Sequence, residues 1–144
     1  MSARDETILQ GRRAKAFRPL PETERRAAID AGLAAYTAGD WLLAHELLEP
    51  AWMGTRDIAE RELLQGLIKL AAAFVHGARG NPVGVAKTLR GARSRIEAGR
   101  AAGDSVGVDA DELMTQIDEW LASPRSVAIA LHLIERKEPI SSQE

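Results

Sequence analysis

Ala35-Tyr36-Thr37-Ala38-Gly39-Asp40-Trp41 and His76-Gly77-Ala78-Arg79-Gly80-Asn81-Pro82 decide the fold. Each stretch ends one helix and starts another. A glycine closes a helix by taking the left-handed conformation. Asp40 or Asn81 then caps the next helix with a side-chain oxygen, and Pro82 suits a first helical position. The glycines lie 41 residues apart (80 − 39), and at that offset Ala44 falls on Val85 and Leu48 on Leu89. A helix, a corner and a second helix with a small residue near its start resemble a tetratricopeptide hairpin, although that repeat is about 34 residues long. Two ordinary antiparallel hairpins fit the same residues.

Working outward, Pro21-Glu22-Thr23-Glu24 opens the first helix with acids where the dipole favours them. The second helix runs from Trp41 to about Met53. Pro50 inside it removes one backbone bond, which predicts a kink or unwinding near residues 46–50. Ile58 to Ala78 is apolar on more than one face, hence the central helix. Pro82 to Ala98 is a fourth helix, 103–107 a loop, Asp109 or Asp111 the start of a fifth, and Ser123-Pro124 the start of a sixth ending near Arg136. No segment alternates with period two, so no strand is expected. The reading is an all-α bundle of about five to six helices in antiparallel hairpins. It places one domain at residues 21–137, between a flexible basic tail at 1–20 (or a short docking helix there) and a frayed tail at 138–144.

With 144 residues the chain is long enough for one core. Nineteen Lys and Arg against 21 Asp and Glu leave a charge of −2, which lacks the footprint of a dedicated nucleic-acid binder. There is no cysteine, so disulfides, thiolate nucleophiles and Cys-ligated zinc are excluded. No apolar run approaches the roughly 20 residues of a membrane span, and no signal-peptide stretch opens the chain; a cytoplasmic protein is expected.

The most distinctive polar run is His45-Glu46-Leu47-Leu48-Glu49-Pro50-Ala51-Trp52. His45 and Glu49 are four apart and share a helical face with Leu48 and Trp52. The run is not the zinc-protease pattern, which needs a second histidine at Glu49. If the second and third helices pack antiparallel, His76 comes towards His45, with Gln65 on roughly its face. His45, Glu49 and His76 would then be ligands suited to Zn, Fe or Mn. The competing reading is a His–Glu pair that satisfies itself internally. Lys87, Arg90 and Arg93 recur every three residues, with Arg95 and Arg100 nearby, as a phosphate-touching or simply solvated face.

The chain also resembles the bacterial and archaeal family called domain of unknown function 309. Ala38-Gly39-Asp40-Trp41, Ala44-His45-Glu46-Leu47-Leu48-Glu49, Trp52, Leu64-Gln65-Gly66-Leu67-Ile68, Leu70-Ala71-Ala72-Ala73, His76, Arg79-Gly80-Asn81 and Gly84 carry the likeness, over about residues 30–97. The resemblance implies a compact all-α domain of unassigned role. It marks His45, Glu46, Glu49, Gln65, His76 and Asn81 as the characteristic polar positions. Pro50 and Lys69 depart from the pattern. With no complete catalytic constellation, a non-enzymatic protein-interaction or self-association module is expected. The candidate polar cluster, whose His and Glu members would serve the binding alternative, is His45, Glu46, Glu49, Trp52, Gln65, His76 and Asn81. The alternatives are a metal- or small-molecule-binding protein, perhaps a hydrolase, with a divalent metal as its cofactor, and weak nucleic-acid contact.

Overall fold

The computed structural model describes residues 7–10 and 13–141. Among them lie seven α-helices: α1 (Glu22–Thr37), α2 (Trp41–Gly54), α3 (Ile58–Ala78), α4 (Pro82–Ala98), the single turn α5 (Gly103–Val106), α6 (Ala110–Ala122) and α7 (Pro124–Ser141). The fold is all-α apart from two four-residue strands, β1 (Thr7–Gln10) and β2 (Arg13–Ala16), paired antiparallel with Thr7 opposite Ala16.

The two corners are built alike. Gly39 and Gly80 have φ of +82° and +70°. At the first corner the Gly39 N–H donates to Tyr36 O and the Asp40 N–H to Ala35 O; at the second, Gly80 donates to Gly77 O and Asn81 to His76 O. Asp40 then accepts from the Leu43 N–H at 3.2 Å, and Asn81 from the Gly84 N–H at 3.0 Å. These three bonds recur at an offset of 41 residues (80 − 39), so the repeat is one of backbone geometry as well as of residues.

α3 is the central helix, packed by α2, α4 and α7. Leu63, Leu64, Leu70 and Ala71 are wholly buried on it. A Cβ at Gly66 would lie 2.6 Å from Ile96 Cγ1 and 3.2 Å from Ala92 O, so the α3 and α4 backbones meet at that glycine. Phe74 is an aromatic hub, with ring centroids 5.7 Å from Tyr36, 5.4 Å from Trp41 and 5.1 Å from Trp120. The core is otherwise aliphatic, as an aromatic content of 4% requires.

Three expectations are corrected. α2 runs unbroken through Pro50. The helix therefore does not unwind there: the proline is exposed and costs one backbone bond, while Ala44, Leu48 and Ala51 on the same helix are buried. Where a flexible tail or docking helix is expected in residues 1–20, the β1–β2 hairpin stands, followed by a segment tied to α2 by Arg18 N–H to Met53 O and Leu20 N–H to Gly54 O. The expected frayed end is helical to Ser141, and the expected loop at 103–107 holds the single turn α5, which brings the helices among the described residues to seven. Residues 1–6, 11–12 and 142–144 of the expected tails lie outside the described residues.

Candidate functional site

The seven candidate residues separate into three places. On α2, His45 is half-buried, and Glu46 and Glu49 are exposed. At the α3–α4 corner, Asn81 Nδ2 lies 3.4 Å from His76 Nδ1. Gly84 makes room for that contact, because a Cβ there would fall 2.8 Å from the ring nitrogen. Trp52 and Gln65 meet a residue that sequence patterning passes over, Gln10. Among the described residues no three His, Asp or Glu side chains gather as a metal-holding group, so His45, Glu49 and His76 do not form such a set.

Gln10 is 2% exposed, while its neighbour Leu9 is 66% exposed. The strand turns its polar residue inward. Gln10 Nε2 donates to Gln65 Oε1 at 2.6 Å, and the Trp52 indole N–H donates to Gln10 Oε1 at 3.3 Å. An indole donor and a carboxamide acceptor thus read both halves of one primary amide.

Beneath this contact lies Arg61, wholly buried. Its Nη1 faces the carbonyls of Trp52 (3.0 Å), Met53 (3.4 Å) and Thr55 (3.2 Å), and Nη2 donates to Ala16 O on β2 at 3.2 Å. Helix ends leave carbonyls without intrahelical partners. Arg61 therefore closes the end of α2 and ties down the hairpin at once. Its guanidinium lies 5.5 Å from the Trp52 ring centroid, and its Nε is buried with no hydrogen-bond partner. Burial pushes its pKa down, partly opposed by Glu62. The signal that could have found Arg61 is a charged residue in the first turns of the most buried helix.

Three of the basic residues on and just after α4 are in ion pairs. Arg93 binds Asp118 at 2.6 Å and Glu97 at 3.7 Å, Arg95 binds the buried Glu62 at 3.0 Å, and Arg100 binds Asp111 at 2.8 Å. Burial first, then the charges of Arg95 and Lys15, hold the Lys69 ammonium below its ordinary range.

Another surface lies where α7 crosses the α3–α4 corner. His132 Nδ1 donates to Ala78 O at 2.8 Å, one of the last carbonyls of α3. Beside it a groove of about 410 Å³ is lined by Arg79, Arg125, His132, Ile129 and Leu133 with Gly80, Pro82 and Ala128. Ile129 and Leu133 are 52% and 53% exposed. An adjoining hollow of about 560 Å³ shares Pro82 and Arg125 and adds Arg90 and Val83, the latter 77% exposed. Among the described residues no carboxylate lines either. On the opposite side of α3, an apolar cleft of about 320 Å³ is bounded by Leu33, Tyr36, Leu67, Val108 and Leu113. Burial raises the Tyr36 phenol well above its ordinary pKa.

These features define an all-α domain of two matched helical hairpins with an added C-terminal pair of helices. Residues 29–88, from α1 into α4 and including both corners, match the family model described as domain of unknown function (DUF309). No curated protein and no solved structure matches the chain. No helix among the described residues is long and apolar enough to cross a membrane.

Proposed function

We propose that this domain works by protein–protein contact, seating an acidic, apolar segment of a partner in the groove between the α3–α4 corner and α7. The supporting observation is the groove's composition: exposed Ile129 and Leu133 beside Arg79, Arg125 and His132, with no carboxylate among the described residues of the wall. Exposed apolar side chains grouped in a groove mark interaction sites more than scattered ones do. The guanidinium groups supply the charge selection that sets partner and register. Tetratricopeptide-like pairs of helices present surfaces of this kind through their stacked arrangement.

The test is site-specific photo-crosslinking in cells from position 129, with position 46 as control. A partner adduct at 129, absent at 46 and reduced tenfold or more by Arg125→Glu, is the expected result. An adduct insensitive to Arg125→Glu, or no adduct, overturns the proposal. An adduct of twice the chain mass makes the partner a second copy.

A second reading, small-molecule binding, is supported by the apolar cleft under Tyr36, whose volume lies at the lower end of ligand pockets. A native mass spectrum of untagged protein tests it: a bound mass lost in Leu67→Trp favours it, and bare protein removes it. A metal adduct lost in His45→Ala and His76→Ala would instead restore the metal reading.

A further inference from the structure

The residue that fills the Trp52–Gln65 slot comes from outside the matched family domain, which begins at residue 29. We propose that Trp52, Gln65 and Arg61 form a recognition site for a glutamine carried on an extended segment of a partner protein. Gln10 is its resident occupant, which such a segment displaces.

Three observations carry this. First, the chemistry of the slot is that of a primary amide. The indole N–H takes the carbonyl oxygen and Gln65 Oε1 takes the NH₂, so an aliphatic side chain in the slot leaves both half-buried groups unpaired. Second, Arg61 reads the main chain of the incoming strand through Ala16 O, a contact that any extended backbone supplies. Its buried Nε has no hydrogen-bond partner among the described residues. Third, the strands that carry the resident are short. Two strands of four residues are marginal alone, and Leu9 on the same strand faces solvent. The base of the hairpin is held firmly, by buried Phe17 under the Arg56 guanidinium at 4.3 Å and by the Arg18 and Leu20 bonds to α2. Displacement therefore concerns β1 and β2, while the segment from Phe17 onward stays docked. This site is separate from the α7 groove and stands whether or not that groove binds.

The experiment uses the full chain carrying Gln10→Ala, labelled with ¹⁵N, with the Trp52 indole resonance assigned through Trp52→Phe. The probe is a synthetic peptide of residues 7–18, and its control is the same peptide with Gln10→Ala. The expected result is that the glutamine peptide returns the Trp52 indole resonance towards its wild-type position and binds at least tenfold more tightly than the control. Equal binding of the two peptides, or none, overturns the proposal. Should Gln10→Ala fail to fold, hydrogen exchange on the wild-type chain decides. β1 amides exchanging at least tenfold faster than those of α3 support a displaceable occupant, and equal rates overturn it. A wild-type dimer that forms through exchanged hairpins would place the glutamine in a second copy and overturn the partner assignment.

Discussion

Arg61 shows how much one side chain does here. It is buried among main-chain carbonyls of two separate segments, with its charge offset by dipoles instead of a dedicated carboxylate. Replacement by Met keeps the stem but strands those oxygens. Each buried polar group left unmade costs about 1–3 kcal/mol, so urea unfolding of Arg61→Met should show a loss of about 3 kcal/mol. Arg61→Lys should recover only part, because an ammonium lacks the planar fork. Tyr36 gives a second expectation. It is the chain's one tyrosine, and burial raises its pKa in the fold. The neutral phenol is the form the fold favours, so its contribution is full below about pH 10, the unfolded value, and is lost as pH rises further. Lys69 is held low by burial and acts in the opposite sense, but its change is complete near its unfolded value of about 10.4. Tyrosinate absorbance should therefore rise only together with loss of helical circular dichroism, well above the midpoint of free tyrosine. A normal midpoint with intact helices would contradict this.

At the scale of elements, the corners were legible and the hairpin was not. Gly39-Asp40 and Gly80-Asn81 act through bonds that close within six residues, so their meaning does not depend on the rest of the fold. Asp40→Ala and Asn81→Ala should each cost about 1 kcal/mol by thermal or urea unfolding. Similar losses at the two sites are the energetic form of the repeat. Gly39→Ala should cost about 1–2 kcal/mol from backbone strain alone, since a Cβ there meets nothing within 4 Å. Pro50 misled in the other direction. Its local penalty is real, but α2 buries Leu48 and Ala51 against its neighbours, and tertiary burial outweighs one missing bond. β1 escaped because it inverts the usual pattern, with Leu9 outward and Gln10 inward. Hydrophobic periodicity has no means of registering a strand held by an amide. The candidate residues fared likewise. Trp52 and Gln65 were marked by family resemblance, but their common partner lies 42 and 55 residues away along the chain, where no local rule connects them.

Across the whole molecule, the matched family segment ends at residue 88, while α6 and α7 lie beyond it and complete its surface. α7 is fixed by Leu131 packed against Gly77 and by His132 on the last turn of α3. His132→Ala removes that bond. It should cost about 1 kcal/mol and speed amide exchange in α7 while leaving α1 and α2 unchanged. A uniform change across all helices would show that α7 does not open on its own.

The grip of Arg61 also orders events in time. A chain emerging from the ribosome presents the hairpin, α1 and α2 before residue 61 has been added. Until then the carbonyls at the end of α2, and Ala16 O beside them, lack the donor they have in the finished fold. The hairpin and the end of α2 are thus completed by a residue of α3, and translation must pass the start of α3 before they can lock.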